Sequence, residues 1–306
     1  MRALLVVNPK ATATTAALRD VLTHALASET KLDVVQTDAR GHATALARAA
    51  AVDGLDVVVA LGGDGTVNEV VNGLMSNGPV SGLPALAVVP GGNANVFARA
   101  LGLPTSPVEA TSQLLEALGA GRRRKIGLGL AGERWFTFCA GMGLDASVVR
   151  RVERKRANGR RSTPGLYVRQ GLVEFFLSDR HRDLRMVAHP QSGDPVPIGL
   201  ALVCNATPWT VLGSRPVVPC PQASFETGLD LFALRELGAV STLRHLRQIL
   251  ASRPRPRGRA VLSLHDQGAF RLTADRPTPL QVDGDDLGDH TDVTFRSVPQ
   301  ALDLVV

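Results

Sequence analysis

A continuous apolar run, Val57–Leu61, stops at Gly62-Gly63-Asp64-Gly65-Thr66, and helical spacing begins at once with Val67, Val70, Val71 and Leu74. Few folds accommodate that join. An unbroken apolar run is the mark of a strand covered on both faces. A helix that follows it directly implies a right-handed crossover to a parallel neighbour. The same alternation fills the first third of the chain. Strands are predicted at Ala3–Val7, ended by Asn8-Pro9, at Leu32–Val35, with Thr37 just beyond, and at Ala85–Val89. Helices are predicted from Ala16, Leu18, Val21, Leu22 and Leu26, and over Ala43–Ala51, Val67–Met75 and Asn95–Leu101. In sheets of this kind ligands bind beyond the carboxyl ends of the strands.

The pattern changes near Gly121-Arg122-Arg123-Arg124-Lys125. Short β-like runs follow at Trp135–Cys139, Ile198–Cys204, Leu229–Leu234, Ala260–Leu264, Phe270–Leu272, Leu280–Val282 and Val293–Phe295. They are separated by turn residues, and helices are inserted at Asp145–Arg156 and Tyr167–Leu177. With 306 residues, two domains are expected. The fold class is therefore an α/β N-terminal domain with a parallel sheet, residues 1–124, followed by a mostly antiparallel β-rich domain, residues 125–297. Arg253–Arg259, an alternation of arginine with proline and glycine, reads as an exposed basic loop.

Two loops carry chemistry. In Gly62–Asn68 the glycines let backbone N–H groups approach phosphate oxygens, and the following helix directs its positive end to the same place. Thr66 and Glu69 have the spacing of a capping box that would start this helix. The string lacks the Walker lysine and does not have dinucleotide-fold glycine spacing. Its bland reading is a tight strand–helix turn. The second loop, Pro90-Gly91-Gly92-Asn93-Ala94-Asn95, again places glycines and asparagines between a strand and a helix. Taken alone it is a turn capped by Asn93; taken together the two loops can enclose one polyphosphate.

The formal charge of +6 and a pI near 9.9 suit anionic partners. Aromatic residues make up only 4%, which argues against nucleic acid as a partner, because single-strand binding needs stacking platforms. Cys139, Cys204 and Cys220 form no CxxC pair and read as reduced, buried thiols of a cytoplasmic protein. No stretch is long and apolar enough to cross a bilayer, and Met1–Val7 reads as a strand rather than a signal peptide, so membrane contact is expected to be peripheral. Arg122–Lys125, Arg150–Arg161 and Arg253–Arg259 are either solvated faces or a surface for anionic lipid. Gly165–Leu177 is either core or a lipid entrance. An edge strand allows pairing into a homodimer.

The strings GGDGTVNEV at 62–70 and PGGNANVFARALGLP at 90–104 resemble the diacylglycerol kinase-type lipid kinase family, which includes bacterial diacylglycerol kinases, sphingosine kinases and ceramide kinases. The resemblance also takes in Asn8-Pro9, Ala140–Ala146 and Val282-Asp283-Gly284-Asp285. GGDGT alone is shared with NAD kinases and phosphofructokinases; the second loop favours the lipid kinases. The resemblance implies an ATP-dependent kinase acting on the hydroxyl of diacylglycerol or a related lipid at an anionic membrane surface, with Mg²⁺ as cofactor. It implies nucleotide contacts from Asn8, Thr37, Gly62, Gly63, Asp64, Gly65, Thr66, Asn68, Gly91, Gly92 and Asn93, with Asp64 toward the metal. It also implies a last strand, about 298–306, that returns to the first domain. The catalytic carboxylates are sought in Asp285, Asp283 and Asp64. Relatives usually have Asp-Gly-Glu where this chain has Asp283-Gly284-Asp285, which shortens the reach of the base by about 1.5 Å. Relatives with a structural metal carry Asp-Gly-Leu where Thr227-Gly228-Leu229 stands here. Two other readings stay open: an NAD kinase-like phosphotransferase, and a catalytically weak nucleotide- or lipid-binding regulator.

Overall fold

The computed structural model describes residues 1–12, 15–157, 186–213 and 215–306. These form two compact units, Met1–Leu128 with Gln300–Val306, and Gly129–Pro299. The expected helix at Tyr167–Leu177, the apolar stretch around it and the end of the Arg150–Arg161 run lie outside the described residues.

The first unit alternates strand and helix: β1 (Arg2–Val7), α1 (Ala16–Ala27), β2 (Lys31–Gln36), α2 (His42–Val52), β3 (Val57–Gly62), α3 (Asp64–Leu74), β4 (Ala85–Pro90), α4 (Val96–Ala100) and α5 (Pro107–Gly119). The strands pair in parallel in the order β2-β1-β3-β4. The end of the chain adds to β4 in parallel, with Leu304 opposite Leu86. β3 and β4 are buried along their whole length, as their unbroken apolar runs require. Leu22 and Leu26 of α1 and Leu114 of α5 close one face over Leu5, Val59 and Val89. α5 is absent from the expected elements, although Ser106 caps it by accepting from Glu109 N and Pro107 opens its first turn.

The second unit contains β6 (Arg134–Phe136), β7 (Cys139–Gly143), α6 (Leu144–Ala157), β8 (Met186–His189), β9 (Val196–Ile198), β10 (Leu200–Cys204), β11 (Thr210–Leu212), β12 (Arg215–Val217), β13 (Leu229–Leu234), α7 (Ala239–Ile249), β14 (Val261–Gln267) and β15 (Ala269–Val282). β5 (Arg123–Ala131) leads into it, and β16 (Asp285–Val305) runs out of it. Its main path, β14-β13-β10-β7-β15-β16, is antiparallel. Phe136, Met142, Leu231, Leu280 and Phe295 are buried in its core, where the rings of Phe270 and Phe295 stack at 5.3 Å. Three expectations change here. Ile198–Cys204 divides at Gly199 into the end of β9 and the whole of β10, which pair with different strands. Phe270–Leu272 and Leu280–Val282 are the ends of the single strand β15, whose register shifts between Thr273 and Thr278 around the polar Asp275-Arg276-Pro277. Trp135–Cys139 divides into β6 and β7, because the backbone at Thr137 and Phe138 hydrogen-bonds to a side chain instead of a strand.

Candidate functional site

In a parallel sheet all carboxyl ends lie along one edge, so the residues that follow β1, β2, β3 and β4 form a row. Asn8, Thr37, Gly62–Asn68 and Gly91–Asn93 are those residues. Backbone bonds hold the row together: Asn8 N donates to Leu61 O (2.9 Å), Thr37 N to Val7 O (2.8 Å) and Gly91 N to Gly62 O (2.7 Å). Asn8 Nδ2 donates to Thr66 Oγ1 (3.0 Å), which ties the first strand end to the first glycine loop. Asp64 ties the first loop to the second, its Oδ1 accepting from Phe97 N (3.0 Å).

Helix α3 begins at Asp64, three residues before its first apolar position, with the extended Gly63 as its N-cap. This overturns the expected capping box. Thr66 N and Val67 N both donate to Gly63 O, and the Glu69 carboxylate turns to the neighbouring helix, accepting from Gly41 N (3.0 Å) and Ala43 N (3.2 Å). Gly41 has no side chain to cap α2, so Glu69 supplies that cap from outside. The second loop is corrected likewise. Its N-cap is Asn95, at φ 46°, not Asn93; the Asn95 side chain accepts from Gly92 N and donates to Gly92 O, both at 2.9 Å.

The glycines divide into two kinds. A Cβ on Gly92 would sit 2.6 Å from the Gly63 Cα, and one on Gly62 would sit 2.6 Å from Thr66 Oγ1. Those glycines are required by the packing of loop on loop and of loop on helix. A Cβ on Gly65 would meet nothing within 4 Å, and Gly65 is exposed in the first turn of α3 without a left-handed φ. Nothing inside the protein requires a glycine there, yet glycine in a helix costs about 0.5–1 kcal/mol relative to alanine.

In the second unit, Asp283 and Gly284 make the two-residue turn between β15 and β16, with φ of 47° and 86° and Val282 opposite Asp285. Both positive φ values fit a type I′ hairpin turn, for which Asp-Gly is a preferred pair. Asp283 is 6% exposed, and its carboxylate accepts from Thr137 N (2.7 Å), Thr137 Oγ1 (2.9 Å), Phe138 N (3.0 Å) and Cys139 N (3.1 Å). Asp286 is bound bidentately by Arg150 Nε and Nη2 (2.8 and 3.1 Å), and Arg150 Nη1 pairs with Asp289 (2.7 Å). Arg150, the first residue of a basic run read above as surface, is thus a structural clamp on the acidic turn. The Asp285 side chain is 17% exposed, and the Arg134 guanidinium lies 3.8 Å from its Oδ2. The geometry therefore gives three neighbouring carboxylates different surroundings, which their local sequence does not distinguish.

A fourth carboxylate lies behind the turn. Asp145, in the first turn of α6, accepts from Gln281 Nε2 (2.8 Å), and Gln281 Oε1 accepts from Gly284 N (2.9 Å). Burial pushes the Asp145 carboxyl up from 3.8 to about 7, against the opposing effect of the Gln281 hydrogen bond. Between those values the folded chain holds a proton that the unfolded chain has released, so stability falls as pH rises, by about 1.4 kcal/mol per pH unit. Asp145→Asn keeps an acceptor for Gln281 and removes the titration. In urea melts the variant is expected to match the parent near pH 4 and to exceed it increasingly up to pH 7, with a constant gap above. Parallel curves across that range would refute the assignment. Trp135 and Trp209 are the only tryptophans and both lie in the second unit, so their fluorescence reports on it selectively.

At Thr227-Gly228-Leu229, where the resemblance raised the question of a structural metal, Thr227 Oγ1 donates to Ser224 O, Gly228 N donates to Asp266 Oδ1 (2.6 Å), and Asp230 pairs with His265 (2.7 Å). Among the described residues no group of three or more His, Cys, Asp or Glu side chains is placed to hold a metal ion, and no helix is long and apolar enough to cross a membrane.

A parallel α/β unit with glycine loops at its carboxyl edge, and a β-rich unit with an ordered acidic turn, define the class of fold shared by diacylglycerol kinases and NAD kinases. A diacylglycerol kinase crystal structure from Bacillus anthracis str. Sterne superposes with a TM-score of 0.73 over 99% of this chain and 96% of that one, at 19% identity. An NAD kinase from Archaeoglobus fulgidus, solved in complex with ATP, superposes with a TM-score of 0.53 at 12% identity, over 100% of this chain and 94% of that one. At these identities the likeness is one of fold. Sequence narrows it: residues 2–129 match the family model of the diacylglycerol kinase catalytic domain. Over these residues the chain is similar to diacylglycerol kinase catalytic domains. The diacylglycerol kinase of Bacillus subtilis (strain 168) is 41% identical over 108 residues, and a protein of Chromohalobacter salexigens named "Probable lipid kinase YegS-like" is 41% identical over 109. The matched stretches cover 35% and 36% of this chain and 33% of each relative, about one third of their length.

Arg134, Thr137, Asp145, Arg150 and Gln281 were not among the expected site residues. No spacing rule links Arg134, Thr137 and Arg150 to the turn, because their contacts to it cross more than a hundred residues of sequence, and Asp145 reaches it only through Gln281, three residues before Gly284.

Proposed function

We propose that the protein is an ATP-dependent lipid kinase that transfers the γ-phosphoryl group to a hydroxyl of diacylglycerol or a related lipid. Gly65 carries the reading: a helix-opening glycine with no internal cause is accounted for by a phosphate group resting against its backbone. Asn8, Thr37, Gly62, Gly63, Thr66, Asn68, Gly91, Gly92 and Asn93 share its edge of the sheet and serve as the remaining nucleotide contacts. The relatives named diacylglycerol kinase supply the acceptor class, and the Archaeoglobus NAD kinase solved with ATP supplies the donor.

Mg²⁺ in phosphoryl transfer is carried largely by the phosphates and needs only one or two carboxylates. Asp64, half-buried in the first turn of α3, fits that requirement; the ion would neutralise charge on the β- and γ-oxygens. Asp285, which stands where the resemblance to the lipid kinases implies the base, is assigned as the proton acceptor, while Asp283 serves four buried donors and Asp286 is clamped by Arg150.

Two measurements test the reading. The first is transfer of label from γ-labelled ATP to a panel of diacylglycerol, sphingosine, ceramide, undecaprenol and NAD in detergent micelles. Label is expected in a lipid; label in NAD alone makes the protein an NAD kinase, and bound ATP without any labelled product makes it a regulator. The second is Gly65→Ala. Removing a glycine from a helix stabilises the first unit by about 0.5–1 kcal/mol, while the new methyl group, which touches no protein atom, is expected to weaken ATP binding at least about tenfold by occupying phosphate space. Unchanged ATP affinity in this variant would remove the ground for placing the phosphates there.

A further inference from the structure

We infer that α7 and the arginine loop after it form an anionic-membrane anchor, an inference that rests on the lipid-kinase reading for its purpose but not for its geometry. α7 has its apolar residues on the wrong side for a helix that only packs. Val240 is 85% exposed, Leu243 53% and Leu246 42%, while His245 and Ile249 face inward. Among the described residues the other exposed large aliphatics stand singly, Val21, Val34, Val52 and Val108 on separate elements and Val80 in a loop, as is normal for a soluble surface. Three on one helix of eleven residues is a stripe.

Arg244 and Arg247 are exposed on the same arc of the helix, where long basic side chains reach toward headgroups while their stems lie along apolar surface. The loop at 251–260 then returns along α7. Arg257 N donates to Gln248 Oε1 (3.1 Å), Arg235 N donates to Ala260 O (2.8 Å), and a Cβ on Gly258 would lie 3.3 Å from His245 Nε2. This fixes the basic loop beside the helix, which sequence alone leaves undetermined. From Arg235 to Ala260 there are seven arginines, all exposed, and one carboxylate, Glu236, so this stretch carries as much net positive charge as the whole chain, +6. An exposed apolar stripe bordered by cations matches a bilayer interface with anionic headgroups. A protein partner buried against the stripe would have to desolvate the flanking arginines or pair each of them.

The test is flotation of the full chain with phosphatidylglycerol–phosphatidylcholine vesicles and with pure phosphatidylcholine vesicles. Binding is expected to the anionic vesicles only, and to fall at about 0.5 M salt. Val240→Ser combined with Leu243→Ser and Leu246→Ser is expected to lower partition at least about tenfold, as is Arg253→Ala combined with Arg255→Ala, Arg257→Ala and Arg259→Ala. Val240→Ser alone guards against misfolding, since that side chain makes almost no contact, and is expected to lower partition by about threefold. All variants are expected to keep the parent's tryptophan-monitored urea midpoint and its rate on lipid in detergent micelles. Unchanged flotation in the triple serine variant overturns the anchor. So does a concentration-dependent dimer, dissolved by the same variant, in a chain that does not float. Flotation that depends on α7 in a chain without kinase activity would retire the kinase reading and leave the anchor standing.

Discussion

Asp283→Ala is expected to destabilise the second unit by about 4 kcal/mol or more, enough to leave it largely unfolded in mild urea. The reason lies in what remains after the carboxylate is gone. Thr137 N, Thr137 Oγ1, Phe138 N and Cys139 N all point at Asp283, and all four bonds are buried. Each donor left without an acceptor costs about 1–3 kcal/mol, against a total domain stability of about 5–15 kcal/mol. Alanine also tolerates the left-handed φ of 47° less well than aspartate, adding to the loss. Asp283→Asn should fall between, since its amide keeps one acceptor oxygen but turns a donor toward donors. Trp135, two residues from Thr137, makes fluorescence-monitored urea unfolding the appropriate measurement. A shift of less than about 1 kcal/mol in the alanine variant would show that water or relaxation satisfies these groups and that the turn is not pinned from within.

That carboxylate illustrates what the sequence could and could not disclose. Val282-Asp283-Gly284-Asp285 is legible as a hairpin turn because Asp-Gly supplies two positive φ values locally, and it is equally legible as an acidic cluster. Which aspartate is structural cannot be read there, since the deciding donors come from residues 137–139, far away in sequence. The parallel sheet was legible from unbroken runs such as Val57–Leu61, whose character is set by burial on both faces. β15 was not, because its polar middle at Asp275–Pro277 interrupts the apolar signal while the strand continues through it. The Thr66–Glu69 capping pattern misled for a related reason. A capping box is a local rule, and Gly41 at the start of α2 offered Glu69 a better-placed partner from another helix. α5 was legible in principle, through Ser106, Pro107 and the spacing of Ala110, Leu114 and Ala117.

The two glycine loops show the same division at the level of the site. Their existence follows from sequence, but only the structure separates Gly62, Gly63 and Gly92, which are needed for close approach, from Gly65, which is not. A pattern of glycines is therefore evidence for tight packing first and for a ligand only after the packing has been accounted for. The same reasoning applied to the carboxylates sets apart Asp283, whose four buried donors show a structural role, and Asp286, which is clamped by Arg150.

Asp285→Asn is expected to lower kcat by at least about 100-fold, equivalent to about 2.7 kcal/mol of transition-state stabilisation, with the affinity for ATP unchanged. The substitution keeps size and hydrogen-bonding shape but removes the capacity to take a proton from the lipid hydroxyl. The Arg134 guanidinium lies 3.8 Å from Asp285 Oδ2, and an asparagine keeps the shape and one acceptor oxygen at that position, so the hairpin should persist and the tryptophan-monitored urea midpoint should move little. Asp285→Glu introduces the residue that the resemblance leads one to expect there and adds about 1.5 Å of reach, so it should retain or raise the rate. Initial rates of label transfer from γ-labelled ATP to micellar diacylglycerol separate the cases. Full activity in Asp285→Asn, or loss of activity in the glutamate variant equal to that in the asparagine variant, would exclude Asp285 as the proton acceptor: the first because no base was needed there, the second because the position is then sensitive to shape and not to charge.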